Sequence, residues 1–103
     1  MDSFELFKMI FYALDNQYDL NPSEELGNVL SSMNPFLFEG IGSAVPDLYV
    51  GFKEIFDKRF NGKCSIEEGY DFAKEYIASL KNNFVEDAFN KVTLDDWIEA
   101  STK

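Results

Sequence analysis

The stretch from Phe52 to Leu80, FKEIFDKRFNGKCSIEEGYDFAKEYIASL, leaves this chain few ways to fold. It holds two apolar stripes of helical period on either side of a short turn, Asn61-Gly62-Lys63-Cys64-Ser65. In the first arm, Leu48, Phe52, Ile55 and Phe56 recur at the three- and four-residue spacing that builds one face of an amphipathic helix. Gly62 ends that arm, because glycine takes a positive φ without steric cost. Lys58 and Arg59 place positive charge at the negative end of the helix dipole. Ser65 then starts the second arm as an N-cap, and Glu68 completes an S-x-x-E capping box. Ile66, Tyr70, Ala73, Ile77 and Leu80 carry the stripe onward.

The rest of the chain reads as elements packing on this hairpin. Asp2 or Ser3 caps a first helix expected to run to about Asp15, with Phe4, Phe7, Ile10, Phe11 and Leu14 as its core stripe and Leu6 and Ala13 widening it. Residues 15–21, DNQYDLN, are expected to be a polar connector. Asn21-Pro22 opens a second helix, Asn as N-cap and Pro in the first turn, where its missing donor does no harm. Leu26, Val29, Leu30 and Met33 face inward, and Asn34-Pro35 stops the helix. Pro46 and Asp47 open the third helix. Phe84, Ala88 and Val92, with Val85 adjacent, mark a short helix after the central hairpin. Thr93 caps a last turn or two carrying Leu94, Trp97 and Ile98. The expected fold is all-α: one domain over residues 1–103, a compact bundle of four to five helices built from two helical hairpins plus a short C-terminal helix.

Composition narrows the function. Nineteen acids against nine bases give a formal net charge of −10. That sets the chain against nucleic acid and anionic membrane surfaces, both of which are held by Lys and Arg. No run approaches the length of a membrane span, and the acidic opening MDSFELFKMIFYAL reads as a core helix, not a leader. Histidine is absent, which removes Ser-His and Cys-His nucleophiles, imidazole bases and His metal ligands. The carboxylate pairs Glu24-Glu25, Glu67-Glu68, Glu86-Asp87 and Asp95-Asp96 sit mostly in first turns of expected helices, where capping and the dipole account for them. No cofactor and no catalytic residue is expected. The single cysteine, Cys64, excludes an internal disulfide and fits a reducing, cytoplasmic setting.

Numbered from Asp57, the central turn resembles an EF-hand calcium loop: Asp57 first, Asn61 fifth, Gly62 sixth, Ser65 ninth and Glu68 twelfth. Arg59 stands at the third position, where the family uses an oxygen ligand, and Cys64 at the apolar eighth. The resemblance implies a degenerate, calcium-responsive member of that family. The same Gly, Ser and Glu also satisfy the rules of a capped helical hairpin.

Charge asymmetry points to the other reading. Residues 1–47 hold eight acids and one base, net −7, and residues 48–103 hold eleven acids and eight bases, net −3. Such an acidic half draws a basic partner and speeds its encounter. The connection over residues 34–45, NPFLFEGIGSAV, presents Phe36 and Phe38 around Glu39, either folded inward or offered as an apolar anchor. The expected role is a small acidic interaction module, similar in size and charge to inhibitor or immunity proteins. Its partner-binding residues would be Asp15, Asp19, Glu24, Glu25, Phe36, Phe38 and Glu39. The partner would be a basic protein, with a second copy of this Phe-rich chain as a further candidate.

Overall fold

The computed structural model describes residues 1–33 and 47–102, apart from the side chains of residues 32, 33, 47 and 48. Among the described residues every regular element is a helix: α1 (Ser3–Leu20), α2 (Glu24–Met33), α3 (Asp47–Phe60), α4 (Ile66–Ser79), α5 (Asn83–Asn90) and α6 (Leu94–Ala100). The expected fold class is right, and the described residues hold six helices where four to five were expected. The Cα radius of gyration, 12.8 Å, is about that of any compact chain of this length.

The largest departure concerns α1, which does not stop near Asp15. It runs 18 residues to Leu20, so the expected connector 15–21 is mostly helix. The reason is tertiary. Leu14 and Gln17 are buried and Tyr18 is half-buried, and their spacing continues the inward face for another turn. Nothing in DNQYD breaks a helix, and the stop comes from Pro22, which disfavours helical backbone at Asn21. Asn21 therefore caps the end of α1, donating its N–H to the Gln17 carbonyl at 2.9 Å, instead of starting α2. Ser23 takes the N-cap role, its Oγ accepting from Leu26 N–H at 3.2 Å.

This length, with the apolar run of its first turns, makes α1 the hub of the fold. α1 packs against α2, α3, α5 and α6. Leu6, Phe7, Ile10 and Leu14 are fully buried in that centre. Phe4 of the expected stripe is half-buried, stacked edge-on against Tyr49 at 5.7 Å. Ser3 Oγ and Tyr49 Oη lie 3.0 Å apart and pin the same end of α1 to α3.

The hairpin α3–α4 forms as expected, with rings between its arms. Phe52 is surrounded by Phe7 at 5.3 Å, Phe72 at 5.5 Å and Tyr76 at 4.9 Å, all edge-on, the geometry aromatic quadrupoles prefer. Of the expected α4 stripe Ala73 and Ile77 are buried as expected, Ile66, Tyr70 and Leu80 are half-buried at its margin, and Phe72 and Tyr76 join the core beside them. Burial pushes the Tyr76 phenol up to about 12. Ile55 of the expected α3 stripe is 48% exposed, and Phe60 packs inward instead. Leu48 and Met33, expected to face the core, lie outside the described side chains.

The turn and caps follow local rules closely. Asn61, at φ 52°, takes the left-handed conformation first and Gly62 follows at φ 100°. Ser65 Oγ accepts from Glu68 N–H at 3.1 Å while Glu68 Oε1 accepts from Ser65 N–H at 2.9 Å. Thr93 and Asp96 form a second reciprocal box, with 3.2 Å in each direction. On α5 Val85 and Ala88, and Val92 just beyond it, face inward as expected, with Phe89 beside them, while Phe84 is 54% exposed. Trp97, fully buried in α6, packs edge-on against Phe89 at 5.9 Å. Trp97 Nε1 donates to the Ile66 carbonyl at 2.8 Å, and Tyr70 Oη donates to the Val92 carbonyl at 2.6 Å, tying α6 and its entry to α4. Leu94 and Ile98, expected to pack back, are each 40% exposed.

Candidate functional site

The acids singled out in the sequence gather around the end of α1. Asp15 and Asp19 sit one turn apart on α1, Asp15 half-buried and Asp19 exposed. Asn21 to Ser23 turn the chain, and Glu24 and Glu25 follow, exposed in the first turn of α2. There they complement the positive end of the helix dipole. Phe36, Phe38 and Glu39 lie outside the described residues, so the anchor expected over 34–45 does too.

The fold adds two acids that no local pattern ties to this place. α6 packs on α1, and a hollow of about 310 Å³ lies between them, lined by Asp19 and Leu20 from α1, Asp96 and Glu99 from α6, and Val92. A second hollow of about 170 Å³ lies beside it, lined by Ser23, Leu26, Phe84, Asp87 and Lys91. Gln17 lines both. Leu20, 79% exposed, lines the first hollow, and Phe84, 54% exposed, the second.

Among the described residues the ion pairs are Lys53–Asp57 at 2.7 Å and Arg59–Glu75, both made by α3. Asp19, Glu24, Glu25, Asp96 and Glu99 belong to neither. The last turns of α1 and α6 hold no basic residue, so nothing on those turns offsets the negative dipole ends beside Asp19 and Glu99.

The stretch resembling a calcium loop is folded as a capped hairpin. Asp57 is inside α3, which continues to Phe60, and its carboxylate is held by the Lys53 ammonium. That hydrogen bond and the charge of Asp57 raise the Lys53 pKa above the ordinary lysine value. Arg59 reaches across to Glu75. Glu68 is occupied by the capping box, and the N–H of Ser65 holds its carboxyl below the usual glutamate range. Among the described residues no group of three or more His, Cys, Asp or Glu side chains stands together in a way that could hold a metal ion. Asp15, at the start of the expected connector 15–21, is likewise inside a helix.

Cys64 is 7% exposed, and its backbone is bonded in both directions to Met1: Cys64 N–H to the Met1 carbonyl at 3.0 Å, and the Met1 amino group to the Cys64 carbonyl at 2.7 Å. Burial pushes the thiol pKa up, which lowers its thiolate fraction at neutral pH. The carboxylate pairs sit where the sequence reading placed them, Glu24-Glu25, Glu67-Glu68 and Asp95-Asp96 all in first turns. No helix is long and apolar enough to cross a membrane, among the described residues.

Comparison with known proteins gave no match: no family model, no curated protein and no solved structure resembles the chain significantly.

Proposed function

We propose that this protein is an acidic helical interaction module that binds a basic partner protein, a role of the kind small inhibitors and immunity proteins perform, and that it is not an enzyme. The observation that carries this reading is the placement of Asp19, Glu24, Glu25, Asp96 and Glu99 around one end of α1, outside the ion pairs of the described residues. Carboxylates gathered in this way raise the local concentration of a cationic partner and accelerate docking. Leu20 and Phe84, exposed beside them, supply apolar area that charge alone does not. The net charge of −10 adds a long-range field of the same sign.

The test is capture of binding proteins from the native lysate by the tagged chain at about 50 mM and about 500 mM salt, a range over which the screening length falls several-fold. The comparison is the variant carrying Asp19→Asn, Glu24→Gln and Glu25→Gln. The expected result is a basic protein that binds the native chain at low salt, is released at high salt and is lost with the variant. Binding that tightens as salt rises, or that the variant retains in full, would overturn the electrostatic reading.

A further inference from the structure

The N-terminal half of α1 carries a cleft of a different character from its acidic end. Glu5, Lys8, Met9 and Tyr12 recur at i, i+3, i+4 and i+7, so they share one face of the helix. Ile66, the first residue of α4, and Ala100, the last of α6, join that face in lining a hollow of about 370 Å³. Small-ligand sites typically enclose about 300–1,000 Å³ and are lined mostly by apolar side chains with a few polar groups. Met1 lines the hollow too, and its backbone is clasped to Cys64 by hydrogen bonds of 3.0 and 2.7 Å. Met9 and Ala100 are buried, and Tyr12 and Ile66 half-buried. Two opposite charges share this mostly apolar lining, Glu5 exposed and Lys8 half-buried. Acid and base three residues apart on a helix ordinarily attract, yet neither belongs to an ion pair of the described residues. The Lys8 ammonium lies over the Phe4 ring instead, 5.2 Å from its centroid.

We propose that this hollow binds a free α-amino acid with an apolar side chain. This goes beyond the reading of the acidic end of α1 and does not depend on it. Lys8 pairs with the α-carboxylate and Glu5 with the α-ammonium, both through charge-assisted hydrogen bonds. The side chain rests on Met1, Met9, Ile66 and Ala100. An ion carrying both signs fits where a simple one does not. The net charge of −10 repels a lone carboxylate from a distance and leaves a zwitterion unaffected. A lone ammonium meets Lys8 as a like charge. Methionine is unbranched and adapts to its neighbours, so a lining with Met1 and Met9 selects a class of side chains, leucine, methionine and phenylalanine among them.

The experiment is a titration of the full chain, its methionine methyls labelled with ¹³C, against L-leucine and L-phenylalanine, followed by NMR. Saturable shifts are expected at the Met1 and Met9 methyls and at the backbone amides of Lys8 and Ala100. The Trp97 indole N–H, which donates to the Ile66 carbonyl at 2.8 Å, should respond with them. Glycine, which lacks the apolar side chain, should give no saturable shift. Isopentylamine is leucine without its carboxylate, and isocaproate is leucine without its ammonium. Each should bind more weakly than leucine by about two- to fivefold, the scale of one charge pair open to water. Lys8→Gln should abolish the preference for leucine over isopentylamine and keep that over isocaproate. Glu5→Gln should do the converse. Glu5 is exposed and Lys8 half-buried, so neither change enters the core. Equal binding of leucine, isopentylamine and isocaproate by the native chain would mean an apolar hollow without charge recognition, and would overturn the proposal. The absence of a saturable response to either amino acid would overturn it too, as would variants that keep both preferences.

Discussion

Gly69 and Gly51 are both interior to helices, where replacing glycine with alanine ordinarily stabilises by about 0.5–1 kcal/mol. Their surroundings reverse the outcome at one of them. A Cβ at Gly69 would stand 2.5 Å from Met1 Cε and 2.9 Å from Leu6 Cδ1, while one at Gly51 would meet nothing within 4 Å. Leu6 is fully buried in the hub, so it has little room to give. Gly69→Ala is therefore expected to destabilise by about 1–3 kcal/mol from overpacking, and Gly51→Ala to stabilise by about 0.5–1 kcal/mol, both read from urea midpoints. Gly27 is intermediate, its Cβ position 3.2 Å from Tyr18 Cε2, because α1 and α2 approach closely there. Glu68 gives a pH prediction. Its carboxyl is held below the ordinary value of 4.5 by the Ser65 N–H. The charged form is favoured by folding, so its contribution is complete above the unfolded pKa and lost as pH falls through the lower folded value. Glu68→Gln keeps an acceptor without titrating, and should show a shallower fall in melting temperature below about pH 4. A fall as steep as that of the native chain would remove Glu68 from the account of acid sensitivity.

At the scale of elements, α6 is the informative case. Seven residues do not make a stable helix alone, because nucleation costs more than so few hydrogen bonds return. It is held by the Thr93–Asp96 box, by Trp97 in the core, and by the two hydrogen bonds from Trp97 and Tyr70. Tyr70→Phe is expected to cost about 0.5–1.5 kcal/mol and Trp97→Phe about 1–3 kcal/mol, the second combining a lost hydrogen bond with a void. Both anchor one helix, so the double variant should lose less than the sum, measured as a coupling energy from denaturant curves. Strict additivity would mean α6 is not docked as a unit. α1 teaches the complementary point. Its first turns were legible because Phe7, Ile10 and Leu14 repeat at helical spacing. Its last turn was not, because the side chain facing inward there is the polar Gln17.

For the whole molecule, charge and core pull against each other. A formal charge of −10 on a chain this small repels itself in the folded state. The aromatic centre around Phe52 offsets that repulsion. Raising salt from about 10 mM to about 300 mM shortens the screening length from roughly 30 Å to under 10 Å. The melting temperature is expected to rise over that range, while binding of a basic partner weakens. A melting temperature that falls with salt would mean favourable internal pairs outweigh the repulsion.

The sequence by itself determined what short-range chemistry decides: helical class, the Asn61–Gly62 reversal, the Ser65–Glu68 and Thr93–Asp96 caps, and acids in first turns. Each depends on residues within four positions of one another, so a spacing rule reaches it. Tertiary packing alone decided the rest. It carried α1 past Asp15 and turned Phe84 outward and Phe89 inward. It also brought Asp96 and Glu99 to the hollow of Asp19 and buried Gln17 beside them. Those outcomes depend on which faces meet across residues distant in sequence, and an apolar periodicity names a face without naming what covers it.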